Sequence, residues 1–396
     1  MLSLDKVFNA QTVLRNLVRE TKLVRAYGIA PDCELYLKPE NLQITGSFKV
    51  RGSAYKIAML TDEEKKKGVI ACSAGNHAQG VALAATQNGI KSLICLPDSA
   101  PISKVEATKG YGAEVCLVEG CYDDAYQKAL ELRDREGYTF VHPFDDENVI
   151  AGQGTIALEI LNELDNIDAI VVPIGGGGLI SGIAYTAKQI RPSIRIYGVQ
   201  VAGAPSMYNS VKDGEIECLS SVSTIADGIA VKKPGENTYA LVKEYVDEIA
   251  LVTDDEVSSA ILALIEKQKM IAEGAGATAV AAVMFDKFHL KGKRVVAVVS
   301  GGNIDVTSLS RVIDRGLLKS GRSSSLLIEL IDKPGQLKEI SRIIADCGGN
   351  VTGVHYEKGD TESVNGCFLR IEMETRDFEH VNLITQTLRA EGFKLV

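Results

Sequence analysis

Near-continuous apolar runs, each leading into a glycine-bearing turn and a helix, constrain this chain more than any other feature. IDAIVVPI (167–174) and KRVVAVVS (293–300) lack the polar alternation of a half-exposed sheet, so they read as strands covered on both faces. GVIACSA (68–74), KSLICLP (91–97) and AEVCLVEG (113–120) are further strands. HAQGVALAATQNG (77–89), SKVEATKGYG (103–112) and DDAYQKALELRDREG (123–137) follow them as helices. Residues 1–45 begin with a helix and reach a short strand at CELYLKPE. Strands alternating with helices predict an α/β fold with a mostly parallel sheet.

The pattern changes near residue 316. GLLKSGRSSS (316–325) is small and polar and reads as a linker. SLLIELI (325–331) alternates as a strand, and DKPGQLKEISRIIADCGG (332–349) reads as a helix with proline in its first turn and glycine past its end. Two strands follow, NVTGVHYEK (350–358) and SVNGCFLRIEME (363–374), around a turn with Gly359 and Asp360. RDFEHVNLITQTLRAEG (376–392) is a helix and FKLV a last strand. The order βαββαβ is that of a ferredoxin-like domain.

Glycine is the compositional oddity, at 37 of 396 residues, and its densest cluster is informative. Gly175, Gly176, Gly177 and Gly178 stand between the apolar strand and a helix beginning near Leu179. Four glycines let several N–H groups approach an anion, and the helix N-terminus adds its dipole and unpaired donors. A tight turn needs fewer glycines, so a phosphate cradle is the better reading. No Lys-Ser/Thr follows, and the loop is not a GxGxxG opening the first βα unit, so nucleotide binding is disfavoured.

GSFKVRGS (46–53) puts Lys49 beside Phe48, between two glycines. A partly desolvated lysine has a lowered pKa and can act as an amine nucleophile, although most lysines are solvated surface charges. SAGNHAQG (73–80) follows a strand and opens a helix, so its N–H groups suit a carboxylate. Asn76 offers an amide there, or simply caps the helix, and His77 reads as a structural residue at the helix start. SGGN (300–303) places Ser300 at the C-terminal end of a strand, the edge where open α/β sheets bind ligands. Three such loops make a shared site the better explanation.

Other classes are disfavoured. With 43 Lys plus Arg against 52 Asp plus Glu, the net charge of −9 argues against a general nucleic-acid binder. No apolar run reaches the length of a membrane span, and MLSLDKVFNA lacks the order of a signal peptide. The eight cysteines form no CxxC pair and the five histidines no HxxxH or HxH spacing, so no metal site is expected. A cytoplasmic protein with reduced thiols is the plain expectation.

GSFKVRGS, SAGNHAQG, GGGGLISG and SGGN, in that order, resemble the fold-type II (tryptophan synthase beta-like) pyridoxal-phosphate enzymes, and within them the threonine dehydratases (threonine ammonia-lyases) and serine racemases. The resemblance spans roughly residues 5–315, and residues 325–396, with DKPGQL, are similar to an ACT regulatory module. It implies a two-lobed catalytic domain over 1–318, with a smaller lobe at about 45–145 inserted in the larger, a linker at 319–324 and a regulatory domain at 325–396.

The resemblance also implies roles. Lys49 would hold pyridoxal 5′-phosphate as a Schiff base and later act as the base at Cα. Phe48 would pack on the pyridine ring, Asn76 would bond its hydroxyl, and Ser300 would face its nitrogen. Gly175, Gly176, Gly177, Gly178 and Leu179 would bind the phosphate, and Ser73, Ala74, Gly75, Asn76 and His77 the substrate carboxylate. A hydroxyl facing the ring nitrogen makes a milder electron sink than an aspartate would, which suits β-elimination of water from L-threonine to give 2-oxobutanoate and ammonia, with L-serine as a second substrate.

Racemases of this family are similar to one another in carrying a second serine where Ala74 stands, and that disfavours racemisation. Their acidic ligands for a divalent cation are replaced here by Gln200 and Ser206, flanking Ala204, so no magnesium is expected. Glu273 lies near the cofactor or in a structural salt bridge. An allosteric effector such as isoleucine, bound near Asp332, Gly335 and Asn350, and a homodimer or homotetramer are further implications. A racemase of the same fold and a non-catalytic amino-acid sensor are the alternatives.

Overall fold

The computed structural model describes residues 2–357 and 366–396, and the chain divides into two compact units, 1–306 and 307–396. The first is built on two sheets. The larger has six strands in the order Val24–Arg25, Glu34–Pro39, Arg294–Val299, Ala169–Pro173, Arg195–Val201, Glu248–Val252. Every pairing after the first is parallel. All five residues of Ala169–Pro173 are buried, and so are five of six in Arg294–Val299, as runs without polar alternation require.

The smaller sheet has four parallel strands in the order Glu114–Val118, Ser92–Pro97, Val69–Cys72, Thr139–Phe140. Each of its first three strands is followed by a helix: Asn76–Gln87 after Val69–Cys72, Ile102–Gly110 after Ser92–Pro97, and Tyr122–Glu136 after Glu114–Val118. The last of these ends where Gly137 takes the left-handed conformation (φ +78°), the usual helix stop. The α/β class and the parallel sheets agree with the expectation from sequence.

Sheet order matters for function because it brings distant segments to one edge. Glu34–Pro39, Arg294–Val299 and Ala169–Pro173 are neighbours. Their C-terminal ends lead to the Lys49 segment, to Ser300–Asn303 and to Gly175–Gly178. The carboxyl edge of a parallel sheet is where crossover loops and helix N-termini gather.

The second unit contains a four-stranded antiparallel sheet in the order Asn350–Glu357, Gly366–Glu374, Ser323–Ile331, Lys394–Leu395, with helices Gln336–Asp346 and Phe378–Ala390. That is the expected ferredoxin-like βαββαβ module. Ile340, Ile343 and Ile344 bury against Ile328, Leu369, Ile371 and Ile384.

Two expectations here need correction. The stretch from 316 is not all linker, because helix Val306–Lys319 runs through it and only residues 320–322 separate that helix from the next strand. The polar composition concealed an amphipathic helix that buries Val312 and Gly316. The helix expected from 332 starts at Gln336, because Gly335 caps it in the left-handed region (φ +98°) and Pro334 lies outside. Asn350 opens the strand expected from 350 and donates to Glu374 Oε2 at 2.8 Å, while Asp332 is an exposed loop residue. The expected turn at Gly359 and Asp360 lies outside the described residues.

Candidate active site

Lys49 opens the helix Lys49–Ala58, and its approach is pinned by a loop far away in sequence. Phe48 N–H donates to Ser300 O at 3.1 Å, Gly302 N–H to Gly46 O at 2.9 Å, and Ser47 bridges Gly301. Two of the four sequence motifs therefore form one piece of backbone. The Lys49 ammonium donates to Pro143 O at 2.8 Å and lies 5.3 Å from the centre of the Phe48 ring. Burial pushes its pKa down to about 8, against a weaker upward pull from Glu273. About half of the amine is then neutral at pH 8, against well under ~1% for a solvated lysine.

Ser73, Ala74 and Gly75 make the turn between strand Val69–Cys72 and helix Asn76–Gln87. Gly75 caps that helix without any side-chain hydrogen bond, so its first N–H groups are left for a ligand. Asn76 is the first helical residue, not the cap. Its amide donates to Glu273 Oε1 at 2.7 Å and accepts from Asn303 Nδ2 at 2.7 Å. Asn303 also donates to Thr45 O at 2.7 Å. These contacts join the small-sheet turn to the SGGN loop, and Asn76 keeps one N–H to offer.

Glu273 has no salt bridge among the described residues; burial pushes its carboxyl up to about 7. Its N–H donates to Gly301 O at 3.1 Å, so it sits beside the site, as one of its two readings held.

His77 is buried, and its Nε2 lies 2.8 Å from Val141 O. A carbonyl only accepts, so the ring is held in the Nε2–H tautomer. Burial, with the nearby Lys49 charge, takes its pKa down to about 3. His77 is therefore a neutral structural ring, with Nδ1 buried and unpartnered.

Ser300 is buried, and its hydroxyl donates to Ala275 O at 3.3 Å, a long bond. In the glycine loop, Gly177 has φ +98° and caps helix Gly178–Ile190 with no side-chain bond. Among the described residues, the N–H groups of Gly175 to Leu179 meet no acceptor, the condition of an anion cradle. Gly176 lies against Phe144, where an added Cβ would come within 2.5 Å of the ring.

A segment that sequence reasoning missed ties these parts together. In residues 141–146, Val141 O holds His77, Pro143 O holds Lys49, and Phe144 covers the glycine loop. His142 Nδ1 accepts from Asp145 N–H at 2.7 Å and Phe144 N–H at 3.3 Å. Proline and two aspartates mark a turn there, but nothing in the run names its distant partners.

Gln200 Oε1 accepts from Tyr208 N–H at 2.7 Å, with its Nε2 buried and unpartnered, and Ser206 donates to Val231 O at 2.7 Å.

A buried amine of lowered pKa, an unpaired N–H cradle at a helix N-terminus and an aromatic ring beside the amine suit an aldehyde cofactor bearing a phosphate. Residues 14–301 match the family model described as pyridoxal-phosphate dependent enzyme, and the chain belongs to that family. Its cofactor is pyridoxal 5′-phosphate. Among curated proteins it is similar to L-threonine ammonia-lyase of Thermotoga maritima, 47% identical over 100% of this chain and 99% of the relative. Among solved structures it is similar to processed threonine deaminase isoform 2 of Solanum lycopersicum, with TM-score 0.75 and 38% identity over 79% of this chain and 94% of that one. Maize serine racemase also has TM-score 0.75, at 36% identity over 80% of this chain and 98% of that one.

The lowered Lys49 pKa has a measurable consequence. The neutral amine is the form that captures an aldehyde, and its fraction grows as pH rises through its pKa. The rate at which cofactor-free protein takes up pyridoxal phosphate should therefore climb with a midpoint near 8, where a solvated lysine would give one near 10.5. Stopped-flow absorbance between pH 6 and 10 checks this, and a curve still rising at pH 10 would contradict it.

Proposed function

We propose that this chain is an L-threonine ammonia-lyase that converts L-threonine to 2-oxobutanoate and ammonia. The observation that carries the reading is the meeting of Lys49, the Ser73–His77 turn, the glycine loop and the SGGN loop around one buried amine, in a chain of 47% identity to a relative of that name. Lys49, Phe48, Asn76, Ser300 and Gly175 to Leu179 are the residues that would hold the cofactor. Bound there, pyridoxal phosphate supplies an electron sink for the bond electrons of Cα–H.

The protein's own residues do the rest. The Ser73–Gly75 turn shapes the pocket, its Ser73 and Gly75 N–H groups donating to Cys95 O and Ser73 Oγ, and the uncapped helix start at Asn76 and His77 receives the substrate carboxylate on its N–H groups. That anchoring sets Cα against Lys49 Nζ, which takes the Cα proton, and alignment is worth several kcal/mol of barrier. The proton that Lys49 has taken balances the one the β-hydroxyl needs to leave as water, and the released enamine tautomerises and is hydrolysed to the oxo acid and ammonia. A racemase must also deliver a proton to the opposite face, and Ala74 has no group to do so. Incubation with L-threonine should give 2-oxobutanoate and no D-threonine; accumulation of D-threonine or D-serine as the main product would favour the racemase reading instead. L-Serine is the second substrate to test, since one methyl is worth only about 1–3 kcal/mol of discrimination.

The ferredoxin-like unit supports a finer proposal, that it is an ACT module binding an amino-acid effector such as isoleucine, with Asp332, Gly335 and Asn350 in the first variants to make. Such modules pair, so a homodimer or homotetramer is expected. Deleting residues 320–396 should abolish any response of the rate to isoleucine while basal turnover persists. A truncated enzyme that still responds would place the effector in the catalytic unit.

A further inference from the structure

The glycine loop is shaped by a residue outside it. Thr238 lies in helix Glu236–Tyr245, fully buried, and its hydroxyl donates to Gly176 O at 2.6 Å, with the carbonyl of Gly235 farther off at 3.2 Å. A peptide unit is planar and trans, so its C=O and the N–H of the next residue point in opposite directions. Turning the Gly176 carbonyl toward Thr238 turns the Gly177 N–H the other way, away from Thr238. Without the hydroxyl that carbonyl keeps only the long bond from Gly235 N–H, at 3.5 Å, and glycines on both sides leave the plane free to rotate.

Thr238 is itself held. Its own N–H donates to Asp145 Oδ1 at 3.1 Å, and the N–H of Glu236 donates to Asp145 Oδ2 at 3.1 Å. Ser181 donates to Thr238 O at 3.3 Å. A Cβ on Gly177 would come within 2.8 Å of Thr238 Cβ, so the two backbones are packed with no room between them. Asp145 adjoins Phe144, whose ring lies against the loop at Gly176. The loop is thus held by a ring and a hydroxyl, both set by neighbouring residues of one segment.

We propose that Thr238, oriented by Asp145, is a positioning residue for the cofactor phosphate: it turns the Gly176–Gly177 peptide so that its N–H faces the anion. The inference rests on the reading of Gly175 to Leu179 as the phosphate cradle. It predicts a defect specific to the phosphate rather than to the cofactor as a whole. Binding of pyridoxal phosphate and of pyridoxal, which lacks the phosphate, should be measured on full-length cofactor-free protein by absorbance titration.

Thr238→Val keeps the shape and removes the hydroxyl. It should weaken pyridoxal phosphate about tenfold, the scale of one short hydrogen bond lost at a buried carbonyl that keeps only a long one, while pyridoxal stays within about twofold. Thr238→Ser should remain within about threefold of the parent for both. Asp145→Asn replaces one acceptor by a donor and should show the same selective loss, which keeps the test open if the valine variant does not fold. A valine variant that binds pyridoxal phosphate like the parent would overturn the proposal. Equal loss of both ligands would also overturn it, because it would mark a general packing defect. If the parent protein itself binds the two ligands equally, the cradle reading fails, whatever Thr238 does.

Discussion

Lys49→Ala should reduce L-threonine deamination by a factor on the order of 10⁴ or more, the cost of losing a group that holds the cofactor and moves the proton. The environment of the lysine makes this the largest functional effect expected. It is the cation held on Pro143 O at 2.8 Å, and burial lowers its pKa to about 8. Replacement by alanine removes a buried cation and leaves no amine at that place. The fold should survive, because a buried charge of lowered pKa is one whose removal relieves a desolvation cost. The checks are 2-oxo acid production, the absorbance of the protein mixed with pyridoxal phosphate, and the melting temperature. A variant that turned over at even a hundredth of the parent rate would show that another base does the work.

Arg51→Met should have the largest effect on stability, about 3–5 kcal/mol. Arg51 lies two residues beyond Lys49 and is fully buried. Its Nε and Nη2 grip Glu40 at 2.8 Å each, and Nη1 and Nη2 reach Glu159 at 2.6 and 2.9 Å. Lys38, also buried, pairs with Glu159, and Thr21 with Glu40. Two cations thus face two carboxylates, and the group is neutral as a whole. Removing the guanidinium leaves buried Glu40 with only the Thr21 hydroxyl and the charge of Lys38, which is paired with Glu159, and that penalty, rather than the pair's net worth, sets the size of the loss.

The double variant Arg51→Met with Glu40→Gln should recover part of the loss, because the stranded charge is then gone. Urea unfolding of both variants reads this out. If the single variant lost less than about 1 kcal/mol, the cluster would be solvated and not structural. The cluster ties strand Glu34–Pro39, helix Lys49–Ala58 and helix Glu147–Glu163 together, so pyridoxal phosphate uptake should weaken in the single variant too.

Much of the fold was legible because its signals are local. The uninterrupted burial of 169–173 shows in its unbroken apolar run, and the C-terminal unit shows as alternating strands and an Ile-rich helix stripe. Where reading failed, composition masked periodicity: helix Val306–Lys319 looked like linker because its polar face dominates. Of the site, Lys49, the glycine loop and the turn at Asn76 stood out, since each is a residue type or spacing out of place in an ordinary turn. Arg51 gives no such signal, and neither do Thr238 and residues 141–146. Their work consists of hydrogen bonds to carbonyls, and every residue has a carbonyl.

By itself the sequence determined the fold class, the four motifs and the residues able to carry amine and anion chemistry, because strand and helix periodicity and glycine placement act within a few residues. Tertiary structure alone decided what those residues face. Lys49 meets Pro143 across 94 residues and Thr238 meets Gly176 across 62. Such contacts follow from strand order, which puts Glu34–Pro39, Arg294–Val299 and Ala169–Pro173 side by side. The lowered pKa of Lys49 and the neutrality of His77 follow in turn from burial, a property of the packed molecule and of no segment alone.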